Sequence, residues 1–281
     1  MILDNIAAKT RERIEEKKRQ IPMEVIRKQA EDQNQDTGFP FAQALGRNRL
    51  ADAEKNSFGS ENKLDGSKQR EIQFICEVKK ASPSKGLIAA DFPYLQIAKD
   101  YEAAGASAIS CLTEPYFFQG SDQYLEEIAR EVRIPVLRKD FTVDEYMIYE
   151  AKILGASAVL LICAILDKVQ LKAYLELSHS LGLSALVEAH DEAEVEMALE
   201  SSAGIIGVNN RNLKTFEVDI YNSIRLRKLV PPEILFVSES GMKTPEDIAA
   251  LRENGTDAVL IGETLMRSRD KKAMLDTLRG I

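Results

Sequence analysis

Two kinds of hydrophobic patterning alternate along the chain. Short, nearly continuous apolar runs lie at Ile72 to Val78, Ala108 to Leu112, Ile134 to Leu137, Ala158 to Cys163, Ala185 to Val187, Ile205 to Val208, Ile234 to Val237 and Ala258 to Ile261. Runs of this kind are expected of strands buried on both faces, as in a parallel sheet covered by helices. Between them apolar residues recur at helical spacing with polar residues interleaved, for example Tyr94, Ile97, Ala98 and Tyr101, or Leu171, Tyr174 and Leu175. Strands alternating with helices predict an α/β fold built on a parallel sheet.

A repeat argues that the sheet closes. Gly105-Ala-Ser-Ala-Ile, Gly155-Ala-Ser-Ala-Val and Gly255-Thr-Asp-Ala-Val recur, with a weaker Ser202-Ala-Gly-Ile-Ile in the gap. Their spacing of about 50 residues, or its double, corresponds to two βα units, each glycine ending a helix before a strand. Four such periods make eight strands, the rhythm of a (βα)8 TIM barrel rather than an open Rossmann sheet. The predicted organisation is an N-terminal helical extension over 1–48 packing on the barrel, a loop over 49–70 and the barrel over 71–281, one domain in all. In the extension, Asp4 is placed to cap a helix whose Leu3, Ile6, Ala7 and Ile14 share a face, and the charged run Arg11 to Arg19 reads as solvated surface. The extension is expected to lie across one end of the barrel.

Composition narrows the functional classes. With 281 residues, 44% of them hydrophobic, the chain suits one barrel plus an extension. A net charge of −8 argues against general nucleic-acid or anionic-membrane binding. Cys76, Cys111 and Cys163 all fall in apolar runs without paired spacing, so they read as small buried hydrophobes rather than disulfide or zinc ligands. No apolar run reaches bilayer length and the first residues lack a signal-peptide layout, which makes the cytoplasm the expected location.

Chemistry gathers where the strands end. The ends read Glu77-Val-Lys79, Arg138-Lys139-Asp140, Val187-Glu188, Asn209-Asn210-Arg211 and Ser238-Glu239-Ser240-Gly241, and the C-terminal strand ends of a parallel barrel form its catalytic mouth. Residues two apart share a face, so Glu77 and Lys79 project together, roughly 7 Å apart. The same parity turns Lys139, Glu188, Glu239, and Asn209 with Arg211, into the mouth. Any one of these could be a loop charge satisfied by a neighbour, but a convergent set of three cations and three carboxylates marks a functional site. For an anion, Ser82 in Ser82-Pro-Ser-Lys-Gly86, Ser240 with Gly241, and Gly262 with Glu263 follow the first, seventh and eighth strands, where such barrels commonly bind phosphate. Each glycine could equally serve only its turn. Phe117, Phe118 and Phe141 either cover the core or line a pocket for an aromatic ring. His179 reads as structural and His190, two residues after Glu188, as peripheral.

The segment Ile75-Cys-Glu-Val-Lys-Lys-Ala-Ser-Pro-Ser-Lys-Gly86 resembles the first-strand signature of indole-3-glycerol-phosphate synthase. Leu112-Thr-Glu-Pro-Tyr-Phe-Phe-Gln-Gly120, Pro135-Val-Leu-Arg-Lys-Asp-Phe141, Leu186-Val-Glu188, Gly207-Val-Asn-Asn-Arg-Asn-Leu213, Val237-Ser-Glu-Ser-Gly241 and Ile261-Gly-Glu263 are similar to that family in order, from near residue 1 to near residue 268. Asn56 to Lys68 match nothing in it. The resemblance implies a carboxy-lyase of tryptophan biosynthesis. Its substrate would be 1-(2-carboxyphenylamino)-1-deoxyribulose 5-phosphate, closed to an indole with loss of carbon dioxide and water, using no metal and no organic cofactor. It implies Lys139 as general acid, Glu188 as acid/base for dehydration, and Lys79 as carboxylate holder and later proton donor, with the proton transfers undivided between the lysines. Glu77 and Glu239 would keep the lysines placed and charged, and Asn209 and Arg211 would contact the anthranilate. Phe118, Phe141 and Leu160 would neighbour the ring, and Ser82, Ser240, Gly241, Gly262 and Glu263 would hold phosphate. A monofunctional monomer is expected, with at most weak association with other enzymes of the pathway. Two other readings stand beside it. One is a phosphosugar isomerase barrel working through a cysteine/aspartate pair, the other a non-catalytic barrel that senses a phosphate ligand.

Overall fold

In the computed structural model, which describes residues 2–46, 71–212 and 215–281, eight parallel strands close into a barrel. They are β1 (Gln73–Val78), β2 (Ala108–Leu112), β3 (Val136–Lys139), β4 (Ala158–Ile162), β5 (Ser184–Ala189), β6 (Ile205–Asn209), β7 (Leu235–Glu239) and β8 (Ala258–Ile261). Strands consecutive in the chain are neighbours in the sheet, and β8 pairs with β1 to close it. The expected (βα)8 architecture with N-terminal helices is the one observed.

Several strands run past the apolar stretch that announced them. β3 extends to Lys139, β5 to Ala189, β6 to Asn209 and β7 to Glu239. Ladder hydrogen bonds belong to the backbone, so a charged side chain does not end a strand. Cys163, conversely, lies beyond β4 in a short 3-10 turn, and all three cysteines are buried and free.

The helices are α1 (Ile2–Gln20), α2 (Met23–Glu31), α3 (Tyr94–Ala103), α4 (Asp122–Glu131), α5 (Tyr146–Ile153), α6 (Lys168–Ser180), α7 (Glu192–Glu200), α8 (Tyr221–Leu226), α9 (Pro245–Glu253), α10 (Glu263–Arg267) and α11 (Lys271–Arg279), with a further helical segment at 40–46. Their starts are written locally. Asp167 and Thr244 form capping boxes at α6 and α9, and Asp191 accepts from the Glu194 N–H at α7. The repeated glycines follow α3, α5 and α9 with φ of +84°, +84° and +82°, and Ser202 takes the same role after α7 at +66°. That left-handed turn lets the chain leave each helix for the next strand, and glycine adopts it at least cost.

Inward-facing Ile75, Ala108, Leu137, Ala158, Leu186, Ile205, Leu235, Val237 and Ala258 form a core inside the barrel, separate from the larger one between strands and helices. Phe41 and Leu45, from segment 40–46, join the inner core beside the first residues of β6, β7 and β8 and so plug the N-terminal end. Leu3 and Ile6 of α1 line the cavity at the other end. Residues of the extension therefore stand at both ends of the barrel, not one. Helix α1 begins at Ile2, which puts Asp4 in its first turn instead of at the cap. The loop expected over 49–70 lies outside the described residues. Among the described residues no helix is long and apolar enough to cross a membrane.

The charged run of α1 also departs from expectation, because three of its cations dock the helix. Arg13 is buried and donates to both Asp140 oxygens, at 3.0 and 2.8 Å. Lys17 reaches Asp122 and Glu150, each at 2.5 Å, and Lys18 reaches Asp144 at 2.7 Å. Arg138, turned outward from β3 and wholly buried, donates to the same Asp122 and Glu150 at 2.8 and 2.7 Å. Removing one partner of a buried pair leaves the other's charge uncompensated, so Arg13→Met is expected to cost about 3 kcal/mol of unfolding free energy in urea. A loss under about 1 kcal/mol would mean that Thr113 and the Phe141 N–H satisfy Asp140 without Arg13.

Candidate active site

Barrel geometry brings the strand-end charges together. Lys139 Nζ lies 3.0 Å from Glu188 Oε2 and 3.1 Å from Glu239 Oε2, so β3, β5 and β7 meet at one ammonium. On the β1 side Lys79 donates to Glu77. All five side chains line a cavity of about 790 Å³ at the C-terminal strand ends, and the three carboxylate residues are at most 4% exposed. Two glycines make the room. A Cβ at Gly207 would strike the Glu239 carboxylate, and one at Gly262 would strike the Glu77 carboxylate and the Lys79 ammonium.

The same enclosure separates the protonation states. Burial by itself would lower the Lys139 pKa, but Glu188, Glu239 and Glu77 together raise it, so this group is an ammonium at neutral pH. Burial pushes Glu188 toward the neutral form, yet Lys139 and His190 outweigh it and hold Glu188 below the usual range. Glu239 goes the other way. Burial, with Glu188 and Glu77 adding like charge, outweighs Lys139 and carries its carboxyl up to about 7, and its Oε1 has no hydrogen-bond partner. Two carboxylates around one lysine are thus shifted in opposite directions by their surroundings.

Around this centre the cavity wall changes character. Phe118 and Phe141 stand with ring centroids 5.9 Å apart, and Leu160 and Ile162 line the floor. The loop bearing Phe118 is held by buried Glu114, which accepts from the N–H groups of Tyr116, Phe117 and Phe118. Phe117 does not reach the cavity. Asn209 Oδ1 accepts from the Arg211 N–H at 3.0 Å, while the Arg211 guanidinium reaches the Phe216 carbonyl at 3.2 Å. Opposite, Ser82 sits in a hairpin (Ala81–Ser82 with Gly86–Leu87), and Ser240 and Gly241 take φ of +68° and +101° in the turn after β7. Gly262 precedes α10, whose first residue, Glu263, is neutralised by Arg267 at 3.0 Å and Lys85 at 3.7 Å.

Apart from Phe117, the residues singled out from the sequence for this site all line the same cavity. Other participants were not legible there. Asn210, turned away from the cavity, holds the β7 turn by donating to Ser240 O and Ser238 Oγ, at 2.9 and 3.0 Å. His190, read as peripheral, has Nε2 3.5 Å from Glu188 Oε1. Its place two residues beyond Glu188 was the available signal. Among the described residues no group of three or more His, Cys, Asp or Glu side chains could hold a metal ion.

Fold and site together define a (βα)8-barrel enzyme with lysine and carboxyl groups gathered in one cavity at its C-terminal strand ends. The family model for indole-3-glycerol phosphate synthase matches residues 3–278, and the chain belongs to that family. The indole-3-glycerol phosphate synthase of Ruminiclostridium cellulolyticum is 56% identical over 280 residues, covering 100% of this chain and 99% of that protein. That of Endomicrobium trichonymphae is 52% identical over 268 residues, 95% of each chain. Among solved structures, 3-hexulose-6-phosphate synthase from Salmonella typhimurium superposes with a TM-score of 0.62 at 13% identity, over 74% of this chain and 97% of that one, a likeness of fold alone.

The raised Glu239 pKa has a consequence for stability. A group whose folded pKa stands above its ordinary 4.5 contributes stability that is full below that value and lost as pH rises toward about 7. Glu239→Gln, which imitates the neutral acid, is therefore expected to unfold at higher urea than the parent at pH 8, with the margin closing toward pH 5. A variant weakened equally at both pH values would show instead that the pairing with Lys139 outweighs the buried charge.

Proposed function

We propose that this chain converts 1-(2-carboxyphenylamino)-1-deoxyribulose 5-phosphate to indole-3-glycerol phosphate, with loss of carbon dioxide and water, through Lys139 and Glu188. The observation that carries these roles is Lys139 held between Glu188 and Glu239, at 3.0 and 3.1 Å, in a cavity with an aromatic wall and glycine turns at one rim. Lys139 protonates the ketone oxygen as the ring carbon bearing the carboxylate attacks the ketone carbon, and the ammonium stabilises the oxygen's developing charge. When Glu239 is neutral, one of the two counter-charges at Lys139 is gone, which loosens the proton to be transferred.

Carbon dioxide leaves after closure, returning aromaticity to the benzene ring. Glu188, kept ionised by Lys139 and His190, then removes a proton while a lysine protonates the departing hydroxyl. Lys79 holds the substrate carboxylate through the first step and stands with Glu77 as the second proton donor. Phe118, Phe141 and Leu160 flank the ring, and Asn209 and Arg211 contact the anthranilate moiety. Phosphate sits on Ser82 and Ser240 and on the N–H groups of Gly241, Gly262 and Glu263, where glycine lets backbone approach an oxyanion. No cysteine lines the cavity among the described residues, which weighs against the isomerase reading with its cysteine/aspartate pair.

Mixing the protein with the carboxyphenylamino deoxyribulose phosphate should give a continuous rise of indole fluorescence. Lys139→Met is expected to lower kcat/KM by about a thousandfold, on the order of 4 kcal/mol of transition-state stabilisation. A loss below about tenfold would transfer the acid role to Lys79. A parent protein that binds the substrate and never turns it over would favour the sensor reading.

A further inference from the structure

Behind Glu188, away from the cavity, lies a second carboxylate that the proposed reaction does not use. His190 stands between the two. Its Nδ1 is 3.0 Å from Glu194 Oε2 and its Nε2 is 3.5 Å from Glu188 Oε1. The same Glu194 oxygen accepts the His190 N–H at 2.8 Å, and Asn222 donates to the His190 carbonyl at 3.0 Å, so the backbone that carries the ring is pinned from α7 and from α8. Glu194 is itself fixed, since its N–H is the donor to the Asp191 cap at 3.0 Å. The local sequence builds all of this within one turn, with Glu188 and His190 on alternate positions at the end of β5 and Glu194 in the first turn of α7.

A neutral imidazole has one donor nitrogen and one acceptor. With carboxylate oxygens facing both nitrogens, a neutral ring would set a lone pair against a carboxylate, whereas an imidazolium presents a proton to each. The charged groups that face the ring are Glu188 from β5, Glu194 from α7 and, further off, Glu239 from β7. Burial opposes the charge, and these carboxylates overcome it and raise the pKa. His190 Nε2 is buried with no hydrogen-bond acceptor other than what Glu188 offers by charge.

We propose that His190 is a positioning residue for Glu188, its imidazolium anchored by Glu194 and fixing Glu188 Oε1 so that Oε2 faces Lys139. A carboxyl group that must accept a proton in one step needs a defined oxygen pointed at the reacting atom. When the Lys139 proton moves to the ketone oxygen, the lysine stays beside Glu188 as a poorer counter-charge. At that moment His190 is the cation that still holds Glu188 in place and ionised. The clamp rests on the reading of Glu188 as the acid/base of dehydration, but the geometry can be tested apart from turnover.

Two variants and one spectroscopic titration test it. His190→Gln is expected to lower kcat by roughly ten- to a hundredfold with KM changed far less, since misplacing a catalytic group costs rate. The acidic limb of the kcat profile should move to higher pH as Glu188 loses a cationic neighbour. Glu194→Gln, which keeps the acceptor for the His190 N–H and removes only the charge, should shift the profile in the same direction by less. With two histidines in the chain, imidazole NMR separates them readily, and His190 should be protonated at neutral pH and titrate lower in Glu188→Gln. Unchanged pH profiles in both variants of an active parent would overturn the clamp. So would a His190 that is neutral at pH 7 and indifferent to Glu188→Gln, and that result stands whether or not the parent turns over the substrate.

Discussion

One ammonium enclosed by carboxylates governs this molecule. Burying Lys139 alone would be costly, and burying Glu188 or Glu239 alone would be as bad, so the three are tolerable in the barrel mouth only together. Each must also arrive on its own strand with the parity that points it inward, which the barrel's alternation supplies. The charges do not balance fully within the group. The shortfall appears as a Glu239 carboxyl carried up to about 7 and a Glu188 held low, and this separation gives a pocket of few side chains more than one protonic role.

The strand that delivers Lys139 is also tied to the surrounding helices by ion pairs. Arg138 and Lys139 alternate outward and inward, and Asp140 follows just past the strand's end. Arg138 reaches the helices behind through Asp122 and Glu150, and Asp140 reaches α1 through Arg13. The residues on both sides of the central lysine are therefore anchored by buried ion pairs, and the helix that supplies one anchor also presents Leu3 and Ile6 to the cavity. Cover and centre share a single rigid connection. Rigid support of this kind keeps a catalytic group within the small displacement that proton transfer allows.

The barrel could be read from the sequence because its determinants are local and periodic. Apolar runs, helical intervals and the glycine repeat each fixed an element without reference to its partners, and the parity of Glu77 with Lys79 or Asn209 with Arg211 then placed side chains on a face. Reading stopped where a residue's meaning depends on what faces it in space. Arg13 and Lys17 look like solvated helix charges until Asp140, Asp122 and Glu150 are brought against them. His190 has an ordinary place in the sequence, and the fold sets it between two carboxylates. The strand ends were legible as well, because Lys139 and Glu188 follow the apolar runs directly, and the backbone ladder continues past Leu137 and Val187 to Lys139 and Ala189.

The most direct measurement is a crystal structure with indole-3-glycerol phosphate bound. Phosphate density is expected on the Ser240, Gly241 and Gly262 turns, the indole against Phe118 and Phe141, and Lys139 within hydrogen-bond reach of the product's reacted side, still between Glu188 and Glu239. Product bound with its phosphate elsewhere, or with Lys139 turned away from the ring, would contradict the claim that this lysine and its carboxylates are the centre of the chemistry.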